Sequence, residues 1–305
     1  MDIRENVILA PHTSFGIGGP ARYFAEARSR EELREALLFA REGELPCCFL
    51  GGGTNVLVSD RGFPGVVIKI LFRKIEVTGN AILADAGADL LAMVNAASAH
   101  GLSGIEALAG IPGSVGGALR GNAGAYGTAI GDVVAEVEVL DAASLEYRRY
   151  RREACGFDYR GSLFKGRGDL VVVSARLPLS IDRPETVREK TEAILKSRGV
   201  VHEKCAGSFF LNAEVSDELL VKRFEAERKV VCRGCKIPAG WLIEQAGLRG
   251  EQLGGAKVSE RHANYIINTG SATAEDVRRL AWLVKERVRE RLGVELREEV
   301  SNVGF

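Results

Sequence analysis

Two glycine-rich stretches, LGGGTNVLVSD at residues 50–60 and GIPGSVGGALRGNAGAYG at residues 110–127, carry the residue types from which a phosphate cradle is made. The second holds seven glycines in eighteen residues, with Ser114 and Asn122 among them and Thr128 just beyond. Such a run removes side-chain bulk and admits positive φ, so successive backbone N–H groups can curl around an anion. A diphosphate is the anion that this geometry usually serves. One such loop is a weak signal, whereas two of them, sixty residues apart from start to start, point to a dinucleotide held from two sides. The first loop is no P-loop, since no Gly-Lys-Ser/Thr follows, and it lacks the spacing of a Rossmann fingerprint.

Other candidates are ambiguous on spacing alone. FDYRGSLFK (157–165) groups Tyr159, Arg160 and Ser162 on a loop or strand end. A guanidinium suits carboxylates, phosphates and developing enolates, but a surface arginine beside a packed tyrosine explains the pattern as well. CAGSFFLN (205–212) sets Ser208 before two phenylalanines, an apolar setting in which a buried serine usually bonds backbone. Glu299 by itself is one more acid. His202, Cys205, Cys232 and Cys235 have zinc-like spacing, yet scattered reduced thiols, with Cys235 entering an amphipathic helix, are the simpler reading. YRRYRR (147–152) interleaves aromatics with arginines as an RNA surface would, and a solvated strand accounts for it.

The elements that must position these residues are legible in outline. Ser29 with Glu32 forms a capping box, Leu33, Ala36, Leu37 and Ala40 follow on one helical face, and Gly43 stops the helix. Cys47–Leu50 then runs as a strand into the first glycine loop. From Val66 onward short strands dominate: 66–70, a hairpin of 75–78 and 81–87 through Gly79-Asn80, 133–140 turning through 141–144 into LEYRRYR, and 170–179. Helices are expected over 89–100, ending at Gly101, and over 185–198, ending at Gly199. In the last third, a helix bearing Trp241 and Leu242 halts at Gly247. A long one, capped by Thr273, carries Val277, Leu280, Ala281, Val284 and Val288 to Gly293.

Bulk properties narrow the function classes. The chain has 305 residues, 46% of them hydrophobic, and 41 basic residues balance 41 acidic ones. No global field favours nucleic acid or a membrane surface, and neither a secretory signal nor a membrane-spanning run is recognisable. A cytoplasmic protein of two or three domains is expected.

Six motifs occur in an order that resembles one family: LGGGTNVLVSD, GIPGSVGGALRGNAGAYG, FDYRGSLFK, AGSFFLN, GWLIEQAGLRG (240–250) and HANYIINTGSATAEDV (262–277). TSFGIGGPAR (13–22) belongs to the same pattern. They are similar to the UDP-N-acetylenolpyruvoylglucosamine reductases from about Thr13 to Val300, and most to the shorter variety that lacks an inserted tyrosine loop. The resemblance implies an α+β chain. Its two-part FAD-binding region, of the vanillyl-alcohol-oxidase-like type, would span residues 1–68 and 69–200. An α/β substrate-binding domain would follow at 201–305, with a tail that can return to the FAD region.

The implied activity is reduction of an enolpyruvyl sugar nucleotide by NADPH through non-covalent FAD, in a monomer or weak dimer without metal. The alternatives are another flavin oxidase or dehydrogenase of this fold, or a catalytically idle flavin-binding protein. Carried over by position, Arg160 stabilises the enolate, Ser208 donates the proton and Glu299 lies near the same carbon. Tyr159 and Asn212 contact substrate. Gly51, Gly52, Gly53, Thr54 and Asn55 form one diphosphate cradle; Gly113, Ser114, Gly116, Gly117, Asn122, Ala123 and Gly124 form the other. The sequence departs from the family at Leu211, where a lysine is frequent, so that one phosphate or carboxylate contact is either absent or supplied by Lys204, and in the tail after Glu299.

Overall fold

The computed structural model describes residues 1–198 and 203–305. Gly199, His202 and the boundary drawn at residue 200 lie outside the described residues. The chain packs as two units: Met1–Val7, Ala21–Gly52 and Pro64–Val201 make one, and Ile8–Pro20, Gly53–Phe63 and His202–Phe305 the other. Boundaries at 68 and 200 follow the chain, whereas these units interleave it.

The first unit holds two sheets. One has four strands in the order Ile3–Ile8, Pro20–Ala27, Phe63–Ile70, Cys47–Leu50, the last two parallel with Leu50 opposite Lys69. The helix Arg30–Glu42 buries Leu33, Ala36, Leu37 and Ala40, the face that the 3.6-residue spacing marks out. Ser29 Oγ accepts from Glu32 N–H at 3.2 Å, but the return bond shifts by one residue, since the Glu32 carboxylate takes Arg28 N–H at 2.6 Å. Gly43 ends the helix at φ −85°, and the left-handed residue is Glu44 (φ 50°).

The second sheet is antiparallel, in the order Tyr147–Arg151, Glu136–Asp141, Leu170–Pro178, Ala81–Asp85, Ile75–Thr78. The expected strand at 133–140 begins later, because Ile130–Val133 makes one helical turn, with Asp132 Oδ2 accepting from the Ala129 N–H that precedes it at 2.7 Å. Asp141 Oδ1 accepts from Ala143 N–H and Ser144 N–H and so closes the next turn. Tyr147–Arg151 is an exposed edge strand whose Arg148 and Arg149 pair with Asp141, Glu136 and Glu138. Its charges therefore solvate and protect a sheet edge.

The second unit has a four-stranded sheet, Lys204–Cys205, Ile266–Asn268, Ala256–Val258, Gln252–Leu253, and a parallel pair of Val56–Val58 with Ser301–Val303. Its helix Ala274–Leu292 is capped by Thr273 and closed by Gly293 at φ 66°. Val277, Leu280, Val284 and Val288 are buried along its inner face, in a core shared with Phe15, Ile17, Leu57, Trp241 and Leu242. Cys235 does not enter a helix. It is exposed in the turn Arg233–Cys235 at φ 52°, and the next helix starts at Ala239. Among the described residues no helix is long and apolar enough to cross a membrane.

Candidate functional site

In the first unit the two glycine stretches meet. A Cβ placed on Gly51 would overlap Ser114 Oγ, and one on Gly52 would come within 2.9 Å of Gly113 Cα. The reason for glycine here is close backbone approach. Positive φ, which the composition of both loops admits, occurs in the family-matched positions at Gly53 (67°), Gly113 (123°) and Asn122 (43°). Ser114 caps the short helix Val115–Gly121, its Oγ accepting from Gly117 N–H at 3.3 Å. Gly116 donates to Ala86 O at 2.8 Å, and a Cβ there would press on Ala86. Asn122 then ends the helix in the left-handed region. Its side chain accepts from Gly131 N–H (2.9 Å) and donates to Asp158 O (2.8 Å). Ala123 N–H donates to Ala118 O, and Gly124–Ala125 pairs with Thr128–Ala129 across a turn at Tyr126 and Gly127, both at positive φ.

Arg160 lies against this loop. Its Nη2 donates to Gly124 O at 2.6 Å and its Nη1 to Asn122 O at 3.5 Å, while Lys165 Nζ holds Arg160 O at 3.0 Å. The residue sits at φ 56°, a conformation that costs a non-glycine residue about 1 kcal/mol and is held by the Asp158–Gly161 bridge. Tyr159 is exposed, and the Arg160 guanidinium lies 5.2 Å from its ring centre. Ser162 Oγ donates to Arg120 O, so Arg160 and Ser162 both bear on the second glycine stretch.

The second unit collects the other candidates. Gly53 is required, because at φ 67° a Cβ would overlap His12 O. Asn55 Nδ2 donates to Glu299 O (3.4 Å), and Ser301 N–H donates to Asn55 O (3.1 Å). Phe209 and Phe210 are buried with their rings edge to face at 5.1 Å. Ser208, just before them, is exposed and not in the buried apolar setting expected from its neighbours. Glu299 N–H donates to Phe209 O at 2.8 Å, so Glu299 pairs with the backbone one residue from Ser208. Its neighbour Glu298 is engaged otherwise, with Lys285 Nζ at 2.7 Å and Asn302 Nδ2 at 3.3 Å. Asn212 Oδ1 accepts from Ala239 N–H at 3.4 Å, at the start of the helix Ala239–Gln245.

Cys48 and Cys155 behave as desolvated thiols. Burial pushes Cys48 up to about 11 against the opposing pull of Arg120, and pushes Cys155 to about 11 as well. Among the described residues no group of three or more His, Cys, Asp and Glu could hold a metal ion.

Residues 21–145 match the family model of an FAD-binding domain, and residues 200–303 match that of the UDP-N-acetylenolpyruvoylglucosamine reductase C-terminal domain. A UDP-N-acetylenolpyruvoylglucosamine reductase of Solibacter usitatus is 39% identical over 299 residues, covering 97% of this chain and 95% of the relative. One from Moorella thermoacetica is 40% identical over 305 residues, covering 99% and 93%. The crystal structure of the reductase from Thermus caldophilus aligns at a TM-score of 0.79 and 33% identity, over 99% of this chain and 100% of that one. Matched along nearly the whole length of both partners, this chain belongs to the UDP-N-acetylenolpyruvoylglucosamine reductase family.

Proposed function

We propose that the protein is an FAD-dependent oxidoreductase that uses NADPH to reduce the enolpyruvyl ether of UDP-N-acetylglucosamine enolpyruvate to UDP-N-acetylmuramate, a step in peptidoglycan precursor synthesis. The observation that carries this reading is the near full-length similarity to reductases of that name. The residues present fit FAD. Gly51 and Gly52 against Gly113 and Ser114 leave bare backbone and a small hydroxyl, and no Asp or Glu occurs in residues 51–59 or 110–127 to repel a diphosphate. On this reading 1–68 and 69–200 are the two parts of the FAD-binding region, 201–305 binds substrate, and the enzyme works in the cytoplasm as a monomer or weak dimer.

Held against Gly51, Gly52, Gly113 and Ser114, FAD would supply a hydride, drawn from NADPH, for the terminal carbon of the enol ether. The electron pair of the double bond then moves toward the substrate carboxylate, and the adjacent carbon must gain a proton to complete the lactyl ether. Arg160 meets the growing carboxylate charge; a preorganised donor of this kind is worth about 10²–10³ in rate. Its attachment to the carbonyls of Asn122 and Gly124 limits the reorganisation needed when that charge develops. Ser208 delivers the proton, and Glu299 serves the same carbon. A serine hydroxyl is a weak acid, so its orientation matters more than its acidity; a placed general acid contributes about 10²–10⁴-fold. Tyr159 and Asn212 orient the substrate.

The test is an anaerobic titration of the purified yellow protein. NADPH should bleach the flavin, and the enolpyruvyl sugar nucleotide should restore the colour stoichiometrically. Absence of bleaching with either NADPH or NADH would sink the reading at its first half-reaction. Bleaching followed by rapid reoxidation with oxygen, and no response to the sugar nucleotide, would instead identify an oxidase on the same fold.

A further inference from the structure

Ser208 is exposed, so nothing around its side chain holds it by burial. What holds it is the dipeptide that follows. Four backbone groups of Phe209 and Phe210 are engaged, and Asn264 takes three of them. Phe209 N–H donates to Asn264 O at 2.7 Å. Phe210 N–H donates to Asn264 Oδ1 at 3.0 Å, and Asn264 Nδ2 donates to Phe210 O at 2.8 Å. The fourth group, Phe209 O, accepts from Glu299 N–H. The Asn264 side chain thus acts as a one-residue β-strand, its amide presenting an acceptor and a donor to the N–H and C=O of a single residue, Phe210. Only a primary amide does this: a carboxylate has no donor, and an aliphatic side chain of the same shape would strand both groups of Phe210.

We propose that Asn264 is a positioning residue of the reduction, setting the register of the Phe209–Phe210 backbone and through it the position of the Ser208 hydroxyl relative to Glu299. The inference rests on the reading of Ser208 as proton donor. It deepens that reading by naming a residue that touches none of the reacting atoms. A reacting group displaced by about 1 Å can cost about 10²-fold in rate, so loss of this clamp matters even where the fold survives.

The two half-reactions separate positioning from folding. Reduction of the flavin by NADPH takes no proton from Ser208, whereas reoxidation by the enolpyruvyl sugar nucleotide does. In the holoenzyme of Asn264→Ala, reduction by NADPH should remain within about threefold of the parent while single-turnover reoxidation slows by about 10²-fold. Amide hydrogen exchange should rise in the peptide spanning 205–212. In a Ser208→Ala background, where no hydroxyl remains to position, Asn264→Ala should slow reoxidation by less than about threefold more, because mutations acting through one group are non-additive. Should Asn264→Ala fail to hold flavin, Asn264→Ser, which keeps a shorter hydrogen-bonding group, goes through the same cycle. Equal slowing of both half-reactions, or full additivity with Ser208→Ala, overturns the proposal. If Ser208→Ala alone leaves reoxidation unchanged, the proton-donor reading itself falls and takes this inference with it.

Discussion

At the scale of single residues, the glycines matter through contact more than through backbone freedom. Gly51 faces Ser114 Oγ so closely that a Cβ must displace it, yet Ser114 Cβ stands 3.4 Å from that point. Gly51→Ala should therefore destabilise the first unit by about 1–3 kcal/mol, the usual scale of overpacking, and lower its flavin content. Ser114→Ala alone should cost about 1 kcal/mol through the lost cap. The double variant should be more stable than the sum of the two predicts, since the hydroxyl that collides is then absent. Urea denaturation with flavin release as a second probe reads this, and simple additivity would refute the proposed contact. Motif order made Gly51, Ser114, Arg160 and Ser208 legible as candidates. Their surroundings were not legible, because the left-handed turn at Arg160 and the exposure of Ser208 depend on partners distant in sequence: Asn122, Gly124, Asn264 and Glu299. Asn264 lay in a motif visible from the start, HANYIINTG, but a side chain that serves another segment's backbone leaves no local pattern to read.

At the scale of elements, reading succeeded where the determinants are local. The ends of the helices Arg30–Glu42, Leu90–Ala99 and Ala274–Leu292 fall within a residue or two of their expected positions because Ser29, Asp89 and Thr273 each cap their own first turn. It failed at 133–135, where a helical turn takes in Val133 and the strand starts only at Glu136, and at Cys235, where Gly234 and Cys235 both adopt positive φ. The Thr273 cap offers a measurable pH signature. Asp276 accepts from Thr273 N–H at 3.1 Å and Gly255 N–H at 3.2 Å, while Thr273 Oγ1 accepts from Asp276 N–H at 3.0 Å. The Thr273 backbone bond, partly opposed by burial and joined by that of Gly255, holds the Asp276 carboxyl below its ordinary 3.8. A depressed folded value means that the stabilisation is fully present above the unfolded value and is lost as pH falls through the folded one. Asp276→Asn, which mimics the protonated acid, should be less stable than the parent by about 1 kcal/mol at neutral pH. That gap should stay constant down to about pH 5 and narrow as the pH drops below 3.8. A gap that is unchanged in acid would show that the charge contributes nothing to the cap.

At the scale of the whole molecule, interleaving is what a reading along the chain does not see. Periodicity finds helices and strands, but it carries no information on which distant segment completes a core. Residues 8–20 and 53–63 precede the second sheet of the first unit in sequence and yet pack with the last third. Phe15, Ile17 and Leu57 are fully or almost fully buried in the same core as Trp241, Leu242 and Val277. Polar bonds follow the same course. Ser14 Oγ donates to Cys205 O at 2.6 Å, and Asn268 Nδ2 donates to Phe15 O at 3.0 Å. Asp60 takes the N–H groups of Ala274 and Glu275 at 2.8 and 3.2 Å, capping the long helix from the other end of the sequence. Burying each of the three apolar side chains is worth about 1.5–3 kcal/mol. Together they approach the about 5–15 kcal/mol by which a whole domain is stable. A fragment of residues 1–201 would expose Phe15, Ile17 and Leu57, and one of residues 202–305 would lack them and the Asp60 cap. We therefore expect residues 202–305 not to fold alone, and residues 1–201 to fold only their own unit with 8–20 and 53–63 left unpacked: both fragments should bind a hydrophobic dye, while the 202–305 fragment should lack near-ultraviolet circular dichroism and melt without a cooperative transition. Co-expression of the two should restore a soluble flavoprotein. A 202–305 fragment that melts cooperatively would show that the last third does not depend on the early segments for its fold.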